Sequence, residues 1–187
     1  MKTKWLEKSE KYDGSQLRPL FCYLEHGLLG NACVSWAGAC EVSFDHMVDG
    51  EDLLQNAAIR GSEMVHFIAE IFETNLMSGV ALQRLFANIV REVLVDMGAA
   101  RAREILREGD DLYLDKNKLS ISIATKSTNS VLIHFAVNIS NKGTPVPTLS
   151  LQDLKVEPEG FARKVLAAFG SEFESIQTAC WKVKPVP

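Results

Sequence analysis

The sequence predicts an α+β fold, a mixed, mainly antiparallel sheet flanked by helices. Three observations carry that prediction. Residues 119–139 alternate apolar and polar side chains on both sides of a short polar turn. Residues 78–97 repeat apolar side chains at helical spacing. Strand-like and helix-like stretches come in blocks rather than in regular βαβ alternation, which points to antiparallel pairing.

The first 50 residues read as short strands. Asp13-Gly14-Ser15 marks a turn, and Gly38 lies between CVSWA and CEVSF, where a hairpin would bend. Residues 45–52, DHMVDGED, form an acidic loop. Ser62 can cap a helix over 62–73, with Met64, Val65, Phe67, Ile68, Ile71 and Phe72 as its apolar face. On that helix Glu63, His66, Glu70 and Glu73 share a solvated side, and Asn75 ends it. Ser78 can cap a second helix, whose apolar stripe runs from Leu82 to Met97. Gly98 then suits the left-handed residue at a helix C-terminus.

The next stretch, GDDLYLDKNKLSISIATK, is residues 109–126, and it returns as VLIHFAVNIS, residues 131–140. Period two puts Leu119, Ile121 and Ile123 on one face with Val131, Ile133, Phe135, Val137 and Ile139, toward the helices. Lys118, Ser120 and Ser122 then share the other face with His134, Ala136 and Asn138. Pro145 and Pro147 stop further pairing. Pro158 starts a third helix with Phe161, Val165, Leu166 and Phe169 inward, and Gly170 closes it. A last helix or strand covers 172–181.

The 187 residues suit one domain, 1–187, able to bury roughly 70% of its unfolded surface. A net charge of −4 leaves no footprint for nonspecific binding to nucleic acid or to a membrane surface. The N-terminal residues lack a signal-type apolar stretch and no run has transmembrane length, so a cytoplasmic location is expected. Cys22, Cys33, Cys40 and Cys180 contain no CxxC pair, and the first three read as buried small hydrophobes rather than zinc ligands.

Three groups of residues carry candidate chemistry. On the polar hairpin face, Lys118 can neutralise a carboxylate or phosphate, and Asn138 can offer a donor and an acceptor to a base edge. Ser120, Ser122 and His134 add substrate contacts on rigid strands. The same alternation also describes the wet face of a one-sided sheet. In YDGSQLR, residues 12–18, Arg18 beside Ser15 can clamp an anion through its planar fork, or the segment is simply a polar turn. Asp45, His46, Asp49 and Asp52 can surround a divalent cation, or form a solvated acidic loop.

GDDLYLDKNKLSISIATK followed by VLIHFAVNIS resembles the core of biotin and lipoate protein ligases. Asp110-Asp111-Leu112-Tyr113 resembles their KWPND-type loop, and Lys118 the lysine that contacts acyl carboxylate and adenylate. Asn138 resembles the asparagine near the adenine. YDGSQLR, DHMVD, HFIAEIF, GDDLY, SIAT and IHFAVNIS together resemble an uncharacterised prokaryotic family, domain-of-unknown-function family 366. The resemblance implies the class II synthetase and biotin-ligase type of fold, a small-molecule ligand, and ATP and magnesium as cofactors. It also implies roles: Lys118 for developing negative charge, Asp111 with Asp110 for magnesium, Asn138 for adenine and Arg18 for the acid. The chain departs from the ligase pattern where a GRGRxGR loop would fold over the adenylate, since 45–52 is acidic. Arg107 replaces the first lysine of the KWPND loop, and Asp110 its asparagine. The implied function is an acyl-adenylate-forming ligase or acyltransferase-like protein acting on a small carboxylic acid or activated acyl group. The alternative is a noncatalytic nucleotide- or acid-binding protein on the same fold.

Overall fold

A computed structural model describes residues 1–56, 59–144 and 146–186. The elements run β1 (Lys2–Trp5), α1 (Phe21–Leu24), β2 (Ala32–Val42), α2 (Gly50–Gln55), β3 (Ile59–Phe72), α3 (Leu76–Asp96), β4 (Leu106–Glu108), β5 (Asp111–Leu114), β6 (Asn117–Lys118), β7 (Ser120–Lys126), β8 (Ser130–Asn138) and α4 (Pro158–Trp181). Five strands form a sheet in the order β1-β2-β3-β8-β7, and β4-β5-β6 form a second, antiparallel one. In the large sheet only β1 with β2 is parallel. The mixed, mainly antiparallel α+β architecture that the sequence predicts is the one observed. No helix among the described residues is long and apolar enough to cross a membrane.

The helix expected over 62–73 is instead most of β3, the central strand. Its even positions, Met64, His66, Ile68 and Glu70, lie on one face of the sheet, and Val65, Phe67, Ala69 and Ile71 on the other. Both faces are covered, so apolar residues occur in an unbroken run that a helix could also present. Glu63, His66, Glu70 and Glu73 therefore share no helix face. His66 and Glu70 are buried, and the Glu70 carboxylate accepts from Leu20 N at 2.8 Å and Ser130 Oγ at 2.9 Å.

Smaller corrections have local causes. No hairpin forms at Gly38. β2 runs straight through with a bulge between Gly38 and Cys40, and a Cβ on Gly38 would collide with the Glu10 carbonyl. That carbonyl accepts from Trp36 Nε1 at 2.8 Å. Asn75, not Ser78, caps α3, accepting from Ser78 N at 2.9 Å. Gly98, with φ of 69°, ends the helix region as expected. α4 continues past Gly170, which instead lets the helix cross β1: a Cβ there would lie 3.2 Å from Thr3 Cγ2. Past Pro147 one further bridge forms, between Lys118 and Thr148. Pro145 lies outside the described residues.

The hairpin forms as β7 and β8, with one decisive difference. Ile121 pairs opposite Ala136 and Ile123 opposite His134, so these isoleucines lie on the His134 face. Ser120 and Ser122 turn toward α3. The cause is a change of sheet between Lys118 and Ser120. Leu119 N donates to Leu112 O at 2.8 Å on the small sheet's side, while Leu119 O accepts from Asn138 N at 3.0 Å on the large sheet's side. The strand is not continuous through Leu119, and a one-residue offset exchanges the faces of everything beyond it.

Candidate active site

α3 and α4 close one face of the large sheet. The other face is only partly covered, by the 10–28 segment and by the connection from β2 to β3. There a cavity of about 470 Å³ opens over β3, β8 and β7. Apolar side chains including Met47, Ile59, Met64, Ile121 and Ile123 line part of it. Its polar side is built by the small sheet. In the β5–β6 hairpin Tyr113 pairs opposite Lys118, and Asp111 lies two residues before Tyr113, on the same side of the strand. The result is an ion pair of 2.7 Å between Lys118 Nζ and Asp111 Oδ2, with side chains 27% and 24% exposed.

Burial weighs on both partners. It lifts the Asp111 carboxyl above the usual carboxylate range by more than Lys118 lowers it. It also pulls the Lys118 ammonium down, but the hydrogen bond and charge of Asp111, with further help from Asp110, more than offset this and raise it. Asp110 is held by Ser122 Oγ at 2.7 Å and Gln83 Nε2 at 2.8 Å.

Asn138 and His134, 4% and 3% exposed, both line the cavity. Asn138 Nδ2 donates to Lys118 O at 3.1 Å and to Leu149 O at 3.2 Å. Both amide protons are therefore spent, and only Oδ1 remains for a ligand. Asn138 cannot offer a base edge the donor–acceptor pair that its chemistry suggests. His134 stacks on Tyr12 with ring centroids 3.7 Å apart, and its Nε2 lies 3.2 Å from His66 Nδ1. Burial holds His66 neutral, with its pKa lowered to about 4, and burial likewise pushes His134 well below the usual value. His66 Nε2 donates to Gly38 O at 3.2 Å, because a carbonyl only accepts. His66 Nδ1 is then a bare acceptor, so His134 Nε2 must donate to it. This leaves His134 Nδ1 as a lone pair.

Lys118, Asp111, Asp110, His134 and Asn138 thus meet at one cavity, and Ser122, though turned toward α3, reaches its edge where it holds Asp110. Ser120, Ser15 and Arg18 do not. Ser120 is buried on the α3 side, where its hydroxyl accepts from Leu112 N at 3.0 Å. Ser15 N bonds to Asp13 Oδ1 in a polar turn, and Arg18 pairs with Glu25 at 2.6 Å. His46, Asp49 and Asp52 reach the cavity wall, but Asp45 does not line it. Among the described residues, no three His, Cys, Asp or Glu side chains converge as metal ligands. Of the 12–18 segment it is Tyr12, not Ser15 or Arg18, that lines the cavity; Arg60, which also lines it, and the His66 partner of His134 were not among the candidates. The signal for His66 was its even spacing with Met64 and Ile68.

The whole-chain comparison agrees with this architecture. The model of domain-of-unknown-function family 366 (DUF366) matches residues 1–184. The chain belongs to that family. A protein of unknown function from Pyrococcus horikoshi is 35% identical and superposes with a TM-score of 0.92, covering 99% of this chain and 100% of its own. The DUF366 chain also shares its fold with proteins of much lower identity. A mutant biotin protein ligase from Aquifex aeolicus, in complex with biotin, is 11% identical with a TM-score of 0.60, over 93% of this chain and 70% of that one. The Aquifex ligase in complex with biotin and ATP is 12% identical with a TM-score of 0.56, over 92% and 70%. A T. acidophilum protein classed as a lipoate protein ligase, with bound lipoic acid, is 11% identical with a TM-score of 0.58, over 93% and 86%.

Proposed function

We propose that this protein binds a small carboxylic acid or activated acyl group and acts on it as an acyl-transferring enzyme, with Lys118 as the group that meets the carboxyl or carbonyl oxygen. The observation that supports this is the Lys118–Asp111 pair at the polar side of a cavity that also carries an aliphatic wall, Met47, Ile59, Met64, Ile121 and Ile123. An ammonium held in place by a carboxylate stabilises the negative charge that builds on an acyl oxygen under attack, and needs no reorganisation at that moment.

The residues do not fit a nucleoside triphosphate. The cavity carries Asp49, Glu51, Asp52, Asp110 and Asp111 against Lys118 and Arg60, so a polyphosphate meets an excess of like charge. Nor do the residues fit magnesium at Asp111, whose carboxylate Lys118 engages. Transfer from an acyl group that is already activated, such as a thioester, suits these walls better than adenylation. The acidic 45–52 wall, standing where the ligase pattern has a basic glycine-rich loop, also favours a second reading, a noncatalytic small-molecule binder.

The test is calorimetric titration with short aliphatic acids and, separately, with ATP and magnesium, beside thiol release from acyl thioesters. Acid binding and thioester turnover that both fall in Lys118→Ala are the expected result. Acid binding without turnover moves the protein to the binder class. Tight ATP binding, or acid binding unchanged in Lys118→Ala, overturns the proposal.

A further inference from the structure

The acceptor side of the cavity has more to satisfy than a plain acid can supply. Its charged lining is five carboxylates to two cations, and Arg84, outside the lining, pairs with Asp110 at 3.7 Å, which still leaves an excess of negative charge. Lys118 is already matched by Asp111, and Arg60 sits at the exposed start of β3. Asp49 accepts from Glu51 N at 2.8 Å, Glu51 from Gln55 Nε2 at 3.2 Å, and Asp110 from Ser122 and Gln83. The Asp52 carboxylate accepts no hydrogen bond among the described residues. It is partly buried on α2 yet close enough to the sheet for the Lys118 charge to act on it.

A second observation is independent of these charges. His134 Nδ1 and Asn138 Oδ1 are bare acceptors on side chains more than nine-tenths buried, and both residues line the cavity. Neither atom has a partner among the described residues. The network on their far sides fixes them in that role: His66 and Gly38 set the tautomer, and two backbone carbonyls set the amide. A ligand bearing only a carboxylate offers these groups nothing, and buried acceptors left unpaired weaken binding.

We infer that the ligand is a small aliphatic zwitterion, an amino acid or amino-acyl group, whose carboxyl or acyl end meets Lys118 and whose ammonium meets Asp52 and one of the two bare acceptors, His134 Nδ1 or Asn138 Oδ1. The strand rise sets those two acceptors too far apart to share one donor group. An ammonium brings three donors and one positive charge, which answers a bare acceptor and the charge excess together. Met47, Ile59, Met64 and Ile121 take the aliphatic body. The inference rests on the acid-binding reading above.

The test compares four probes with one six-carbon body: caproate, norleucine, ε-aminocaproate and hexylamine, each titrated calorimetrically into the intact chain. At least one of the two amino acids should bind about tenfold or more tighter than caproate, the scale of one charge-assisted hydrogen bond set. Asp52→Asn, checked for unchanged thermal melting, should remove that advantage, so that the amino acid binds no tighter than caproate. Caproate binding as tightly as both amino acids overturns the zwitterion and leaves acid binding standing. Hexylamine binding as tightly as the better amino acid sinks the acid-binding reading itself. No binding by any probe overturns both.

Discussion

The two faces of the large sheet are made by the same strands and put to different uses. On the helix side, Phe67, Phe86, Phe135 and Phe169 interlock, with Phe86 ring centroids 5.2, 5.0 and 4.5 Å from the other three. On the cavity side, the buried cluster is smaller and contains polar members: Tyr12 stacks on His134, and Trp36 lies against His66. The helix face buries mostly apolar surface; of its few buried polar groups, Ser120 Oγ accepts from Leu112 N, while Ser35 Oγ and Trp5 Nε1 have no partner among the described residues. The cavity face satisfies most of its buried polar groups through one another, and leaves a few open toward a ligand. On the proposed reading, stability and binding are separated across a sheet one residue thick.

The largest effect should come from the helix face. Phe86→Ala removes the ring that three other phenylalanines touch, and should cost about 3–5 kcal/mol in denaturant unfolding. The fraction still folded should bind ligand as before; lost affinity at equal folded fraction would mean the faces are coupled. Next is Lys118→Ala. Turnover should fall by roughly 10²–10³, the scale of removing one oxyanion-stabilising donor. Its melting temperature should change far less than that of Phe86→Ala, and the reverse order would make Lys118 structural.

The histidine pair sharpens the comparison through pH. His66 titrates near 4 in the folded protein, His134 also below its ordinary value, and both near 6.5 once unfolded. Between those values the unfolded chain binds more protons, so stability falls as pH drops below about 6.5. Each histidine contributes up to about 1.4 kcal/mol per pH unit. Urea midpoints measured at about pH 7 and pH 5 should show this slope, and a His66→Gln/His134→Gln variant should flatten it; equal slopes would mean that neither histidine is held neutral. The smallest effect belongs to Arg18→Ala. Its partner Glu25 is as exposed as Arg18 itself, and neither lines the cavity. Ligand affinity should not move, and a clear loss would bring the 12–18 turn back into the site.

Local periodicity was enough for α3, which keeps a solvated side, and for the β7–β8 hairpin, where polar residues still alternate with apolar ones although β8 is buried on both faces. It failed at β3, where His66 and Glu70 read as the wet side of a helix. In the sheet both are buried, one donating to a carbonyl and the other accepting from Leu20 and Ser130. It failed again at Ser120 and Ser122, whose face depends on the sheet switch at Leu119, a backbone event without a side-chain signature. Lys118, Asp111 and Asn138 were legible as candidate residues through their resemblance to ligases. That Asn138 would spend both amide protons on Lys118 O and Leu149 O was not.

By itself the sequence determined the class of fold, the long helix, the hairpin and the residue types at the polar side of the site, since these follow from side-chain chemistry and spacing along a few turns or strands. Only the tertiary structure decided which face of β7 meets the cavity, that the acidic 45–52 segment walls it, and that His66 orients His134. Those outcomes depend on hydrogen bonds between segments far apart in the chain, where one residue of offset exchanges inside for outside.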